Sequence, residues 1–368
     1  MDASITIKDV TDYLESIAPR NYQESYDNAG LLTGAPASSV KNILVTLDCT
    51  EDVVQEAIDT GCNLVVAHHP IVFKGLKKLT GSNYVERTVI KAIRHDIGIY
   101  AIHTNLDHVL TGVNKKIGEK IGLRNLRILS PKKDTLRKLV TFIPRENSEQ
   151  VLSALHEAGA GQIGEYKNCS FQVEGTGTFM PTGSANPHIG AINIQENVRE
   201  VRVEVIFPAH RETAILAALR KNHPYEEVAY YLSALTNENQ EVGAGMIGEL
   251  EKPMEPMDFL KGLKDSMQVS VIRHTRPLGK QVKKVAVCGG SGSFLLSEAI
   301  RAGAEMFVSA DFKYHEFFDA DGQITIADIG HYESEVFTKE LLQEVLTKKF
   351  PTFAINFSKT VTNPISYL

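Results

Sequence analysis

The sequence predicts an α/β protein built from two similar α/β lobes, with a ferredoxin-like α+β segment between them. Three observations carry this. Short runs that are apolar on both faces alternate with helical patterns in the first part of the chain. A strand–helix–strand stretch of that part returns near the C-terminus at constant spacing. The middle of the chain follows a different order, β-α-β-β-α-β.

In the first lobe, residues 8–17 place Val10, Tyr13, Leu14 and Ile17 on one helical face. Residues 42–47 (NILVTL) read as a buried strand, and 51–59 as a helix closed by Gly61. Residues 63–67 (NLVVA) form the next strand and end on His-His-Pro. A helix over 85–95 and a strand over 98–102 (GIYAI) follow. Strands apolar on both faces and interleaved with helices imply a mostly parallel sheet covered on both sides.

Residues 41–67 align with 283–309 under one shift of 242. Lys41, Val45, Glu56, Ala57, Ile58, Gly61 and Val66 meet identical residues at 283, 287, 298, 299, 300, 303 and 308. A second register, shifted by 227, sets GIYAIHTN (98–105) over the stretch ending in ITIADIGH. Chance likeness of two strand–helix–strand units competes with duplication, and the gap-free identities favour a duplicated lobe. Between the lobes, residues 136–143, 168–179, 198–207 and 226–235 read as strands, and 147–159 and 210–221 as helices. The expected division is a first lobe over 1–128, an inserted ferredoxin-like domain over 129–242 and a second lobe over 243–368.

Composition narrows the function. The chain of 368 residues holds 39 Lys+Arg against 45 Asp+Glu, a net charge of −6. A nucleic-acid partner normally needs a basic face, so none is expected. No apolar run approaches the roughly 18–20 residues of a membrane span, and the N-terminus lacks the pattern of a signal peptide. Cys49, Cys62, Cys169 and Cys288 stand apart, which suggests neither disulfides nor a thiolate zinc site. A reducing cytoplasm is the expected address.

Histidine is where the sequence becomes specific. Five of the 12 His (His68, His69, His95, His103 and His108) fall within about a ninth of the chain. Metal binding is the commonest use of clustered imidazoles. His68 and His69 close an apolar strand, and Pro70 keeps them from starting a helix. They therefore sit at the carboxyl edge of a sheet, where open α/β proteins place ligands. The plainer alternative is one solvated and one packing imidazole. His103 and Asp107 follow the next strand at i, i+4, and His331 and Glu335 follow ITIADI with the same spacing. If the lobes face each other, these donors converge. Imidazole and carboxylate without thiolate suit Zn, Mn, Fe, Ni or Co. Five or six donors suit two ions better than one. The turn Cys288-Gly289-Gly290-Ser291-Gly292 lies between a strand and a helix. It is either an anion cradle built from Gly290, Ser291 and Gly292 or a tight connection. Asp48, Asp27-Asn28, and Asp311 with His315 are further polar candidates, each also readable as a cap or turn residue.

AHHP (67–70), IHTNLD (102–107), SADFKYHE (309–316), GHYESE (330–335) and DNAGLLTG (27–34) together resemble the NIF-three-like dinuclear-metal family. Its bacterial members are commonly described as GTP cyclohydrolase type-two homologues. The resemblance covers both lobes. It implies a NIF-three-like core, a PII- or CutA-like insert in the middle, and a ring-shaped homohexamer. It implies two divalent metal ions per subunit, zinc first, held by His68, His69, Asp107, His331 and Glu335. Glu335 would bridge, with His69 and Asp107 on one ion and His68 and His331 on the other. His103 would be the acid–base residue or stand behind the ligands. The function expected on this basis is a metal-dependent hydrolase of a small nucleotide-like or phosphorylated molecule. The alternative is a non-catalytic metal- or metabolite-sensing regulatory or adaptor protein.

Overall fold

The computed structural model describes residues 4–368. One compact unit runs up to Pro131 and resumes over Glu241–Leu368; the second is Lys132–Gln240.

The larger unit contains two sheets. The first runs Gly30–Thr33, Gly98–Ala101, Leu64–Ala67, Ile43–Thr46, Ile355–Phe357. All its pairings are parallel except at the Gly30–Thr33 edge. The second runs Arg273–His274, Thr325–Asp328, Met306–Ala310, Val282–Ser291, Asn239–Met254, Arg124–Lys132. Here Met306–Ala310 is parallel to both neighbours, while the pairs of Arg273–His274 and Asn239–Met254 with this core are antiparallel. The second sheet is thus mixed rather than mostly parallel.

The internal repeat is visible in the ladders. Leu44 lies opposite Val65 and Val45 opposite Val66; at shift 242, Ala286 lies opposite Phe307 and Val287 opposite Val308. The next ladder follows the 227 shift, with Val65 opposite Ile99 and Phe307 opposite Ile326. The drop from 242 to 227 has a physical reason. The first lobe crosses between these strands through the helix Tyr84–Arg94, and the second through the shorter 3-10 segment Tyr314–Ala320.

Side-chain alternation assigns each strand two cores. Val45, Val66, Tyr100, Val287 and Val308 belong to one apolar cluster shared by both lobes, together with Val113, Ile117, Leu342 and Leu346. Leu44, Val65 and Ile99 face the other way, onto Val53, Val54, Ala57, Val89 and Ala92. Ala286, Phe307 and Ile326 do the same against Leu295, Leu296 and Ala299. Each fully buried Val, Leu or Ile contributes about 1.5–3 kcal/mol of transfer free energy. The shared cluster is therefore large enough to hold the lobes in one orientation despite a polar, costly site at their strand ends.

The smaller unit is a four-stranded antiparallel sheet in the order Phe171–Phe179, Glu196–Pro208, Leu136–Pro144, Tyr230–Leu235. Helices Ser148–Glu157 and Glu212–Asn222 supply Val151, Leu155, Ile215 and Leu219 to a core with Leu139, Ile143, Val203 and Val205. Its last strand begins at Tyr230, later than the 226 read from sequence. Helix Glu212–Asn222 is capped by His223, whose Nε2 lies 2.9 Å from the Phe142 carbonyl, and Pro224 and the turn after it occupy the interval.

Glu56 fastens the end of the chain to helix Glu51–Asp59. Its carboxylate accepts from the Ser358 hydroxyl, the Lys359 and Thr360 backbone N–H groups and the Thr360 hydroxyl. Burial opposes its charge, but these donors outweigh burial and lower its pKa. A lowered carboxylate pKa adds stability at neutral pH that is lost as pH falls through and below its unfolded value of about 4.3. Glu56→Ala is expected to cost about 1–3 kcal/mol in urea unfolding at pH 7. The difference from the unsubstituted protein should shrink at pH 4.

Candidate metal centre

Every strand that carries a candidate donor ends at the same edge of its sheet. His68 and His69 follow Leu64–Ala67, His103 follows Gly98–Ala101, and Asp48 follows Ile43–Thr46. In the second lobe Asp311 follows Met306–Ala310 and His331 opens the helical turn after Thr325–Asp328. That turn, His331–Glu335, places the Glu335 carboxylate against the His331 ring at 3.1 Å. The turn Thr104–Asp107 positions Asp107 similarly.

These groups meet. His69 Nε2 lies 2.9 Å from Glu335 Oε2 and His331 Nε2 3.1 Å from the same oxygen. His68 Nε2 lies 3.5 Å from Asp107 Oδ1 and 4.0 Å from Glu335 Oε1. Donor atoms of His68, Asp107 and Glu335 form one cluster, those of His69, His331 and Glu335 a second, and those of His68, His69 and His103 a third. Glu335 thus faces both sides. The partners differ from the division that the resemblance implies, because His68 groups with Asp107 and His69 with His331. Oε1 of Glu335 lies toward His68, and Oε2 toward His69 and His331.

The imidazoles are held in one orientation. His68 Nδ1 donates to the Ile102 carbonyl at 2.8 Å, His69 Nδ1 to Asp48 at 2.7 Å, His103 Nδ1 to Asp27 at 2.8 Å and His331 Nδ1 to Asp311 at 2.6 Å. With Nδ1–H engaged outward, Nε2 points inward. This carboxylate or carbonyl support is the arrangement that orients metal-ligating histidines. Asp48, Asp27 and Asp311 had equally plain readings as caps or turn residues, so sequence reasoning undervalued them. Asp48 stands in the loop equivalent to the Gly-rich turn, and Asp27 opens DNAGLLTG, which were the available signals.

Electrostatics show what the site lacks. His68 is fully buried, and burial pushes its pKa down to about 3, so its Nε2 carries a lone pair. Burial also disfavours charge on His69 and His331, but the carboxylates beside them win and raise these pKa values to about 9 and about 11. Burial and the nearby charge of Glu335 push Asp107 well above the carboxylate range. Burial works the same way on Glu335, yet the His331 and His69 hydrogen bonds hold it well below that range. Asp27 is held at about 2, where bonds from His103 and Thr104 overcome burial. The cluster demands positive charge, and divalent cations suit it. His68 Nε2 and Asp107 Oδ1 are buried with no hydrogen-bond partner among the described residues, which is a costly state unless something else coordinates them. The residues present therefore could bind a metal.

Other histidines fall elsewhere. His95 caps the helix Tyr84–Arg94 and is exposed, and His315 is exposed beside Tyr314 and Phe318. His108 is buried, with Nδ1 on the Tyr22 carbonyl at 2.7 Å. The Gly-rich turn underlies Glu335. The Gly289 N–H donates to Asn114 and the Gly290 N–H to Ser334, the Ser291 hydroxyl is turned onto Asp311, and Gly292 packs against Ser309 and Cys288. The Gly289 and Gly290 N–H groups are thus taken up inside the protein. Over the donors lies a cavity of about 1090 Å³, walled also by Tyr26, Phe73, Phe294 and the C-terminal residues Thr362–Ile365. Thr362 donates to Asp48 at 2.6 Å, so the tail supports a residue that supports His69.

The fold and site together define a class, a duplicated α/β protein whose two lobes share one imidazole–carboxylate cluster. Residues 5–364 match the model of the Duf34/NIF3 (NGG1p interacting factor 3) family, and the chain belongs to that family. A Bacillus subtilis relative named GTP cyclohydrolase 1 type 2 homolog is 38% identical over the full length of both chains. A Bacillus cereus protein related to NIF3 superposes with a TM-score of 0.87 at 36% identity, covering all of both chains. A Staphylococcus aureus protein does so with 0.80 at 30%, again over all of both chains.

Gly290 has a left-handed φ of +59°, and a Cβ there would come within 2.5 Å of Glu335 Oε1 and 3.2 Å of the His331 ring. Gly290→Ala is expected to push Glu335 aside and to lower the thermal midpoint. A larger rise in midpoint on adding zinc to the unsubstituted protein than to the variant would check that the loss lies at this carboxylate.

Proposed function

We propose that this protein is a dinuclear-metal-dependent hydrolase of a small nucleotide-like molecule. The observation that carries the reading is the pair of buried, unpartnered atoms, His68 Nε2 and Asp107 Oδ1, set against one oxygen of Glu335 while His69 and His331 share the other. His68, His69, Asp107, His331 and Glu335 would hold two divalent ions, with zinc the first choice for this donor set and Mn, Fe, Ni or Co the others. Such a pair supplies an activated water and polarises the bond to be broken. The chain's own groups do the rest. Asp48, Asp311 and the Ile102 carbonyl keep each ligand's Nε2 aimed inward. His103, held by Asp27 and partly exposed to the cavity, is placed to take a proton from the attacking water and return it to the leaving group. The name carried by the curated relatives, GTP cyclohydrolase 1 type 2 homolog, supports a nucleotide-like substrate and ring-opening hydrolysis.

We further propose that Lys132–Gln240 is a domain inserted into the duplicated core, and that the chain assembles as the homohexamer implied by the resemblance. Sedimentation should then give a particle of roughly six times 40.6 kDa.

Elemental analysis of the purified protein should find about two divalent ions per chain, with His69→Ala losing at least one and all turnover in a screen of nucleotides and phosphoesters. His103→Ala should keep its metal while turnover falls about 10²–10⁴-fold. Turnover unchanged in His69→Ala would refute the reading.

A further inference from the structure

Two properties of the cavity over the donor cluster go beyond what metal binding requires. No lysine or arginine is among the described residues that line it, and its ionisable walls are imidazoles and carboxylates, including His103, His331, Glu24 and Asp48. Its rim is aromatic. Tyr26, Phe73, Tyr84 and Phe294 line it and are each 50–68% exposed, a large apolar surface to leave facing water. Phe73 carries that surface inward, with its ring edge-on to His103 at 5.6 Å between centroids and 89° between planes.

Charge decides which ligand fits. Two divalent cations bring four positive charges. Asp107 and Glu335 lie among the donors, and Asp48, Asp311 and Asp27 lie directly behind them, so five carboxylates already offset those charges. A loaded site keeps no positive surplus. Besides metal ions, proteins that hold phosphate chains use arginine, lysine or free backbone N–H groups. Here the first two are missing from the lining, and the Gly289 and Gly290 N–H groups are bonded to Asn114 and Ser334. A flat ring, by contrast, finds faces on which to stack, and base–aromatic stacking tolerates any heterocycle.

Resting on the metal-centre reading above, we propose that the substrate is a flat heteroaromatic compound of the nucleobase or nucleoside class that bears no polyphosphate chain. It stacks on the rim rings, Phe73 first, with its reacting edge toward His103 and the donor cluster.

The test is calorimetric titration of the metal-loaded full-length protein with guanosine, adenosine and cytidine, and with their 5′-triphosphates, counting bound metal before and after each run. At least one nucleoside should bind saturably, and its triphosphate about tenfold more weakly or worse. Phe73→Ala, a change at a half-exposed position, should weaken that nucleoside by about tenfold with the metal count unchanged. A triphosphate that binds more tightly than its nucleoside, no saturable nucleoside binding, or a Phe73→Ala protein that binds like the unsubstituted one overturns the proposal. A protein that takes up no metal on loading overturns the metal-centre reading instead, and the nucleoside series still decides the ligand class.

Discussion

A single buried carboxylate, Glu335, sets the geometry on which the site depends. It is 3% exposed, yet both oxygens face nitrogen donors from the first lobe while its own helical turn belongs to the second. A charge so placed is costly unless it is paired and fully bonded. Two imidazoles supply that pairing on one side, and on the other lie groups whose polar atoms have no protein partner. The cost is borne elsewhere, by the apolar cluster in which Val45 and Val66 of one lobe join Val287 and Val308 of the other. Fold and site are linked in that sense. The shared core keeps two carboxyl edges opposed, and Glu335 is the group that opposition makes possible.

The supports behind the imidazoles extend the same constraint outward. Asp48 receives His69 and is itself tied to Thr362 in the C-terminal segment, which returns to the core through the strand Ile355–Phe357 and the bonds on Glu56. Asp27, ahead of the first strand, holds both His103 and Thr104. The orientation of each imidazole therefore rests on segments far from it in sequence, near both ends of the chain. A cluster built this way is stiff, because turning any one ring breaks a bond to a different part of the fold.

Much of this was legible in the sequence, for reasons that are local. The alternation of both-face apolar runs with helices gave three strands of the first lobe within a residue or two, since each is buried on two sides and needs no tertiary information to be seen, whereas the half-buried edge strand Gly30–Thr33 carried no such signal. The repeat was legible because both lobes preserve one ladder register. His68-His69-Pro70 stood out because three residues that end a strand also carry chemistry. Other features were hidden. Asp48 and Asp311 look like any loop carboxylate until His69 and His331 are found beside them at 2.7 and 2.6 Å. Which imidazole pairs with which oxygen of Glu335 depends on distances between lobes, and periodicity within a lobe holds no information about those. The mixed pairing of the second sheet was hidden for a similar reason, since strands buried on both faces read alike whether their neighbours run parallel or not.

The duplication explains why the two halves of the site are not copies. Under the 242 shift, Asp48 corresponds to Gly290 and His69 to Asp311. Had the second lobe kept a carboxylate at 290, that group would have occupied the space of Glu335 Oε1, which lies 2.5 Å from where even a methyl carbon would stand. Two facing carboxylates at that spacing also repel, and one would have to take up a proton. The second lobe instead has glycine there and sends its acid in from the turn after the last strand, as Glu335. Likewise, the position that supplies an inward-facing imidazole in the first lobe, His69, supplies in the second the carboxylate that orients His331. Equivalent backbones thus carry complementary side chains, and only in that form can two like lobes close on one shared carboxylate, Glu335.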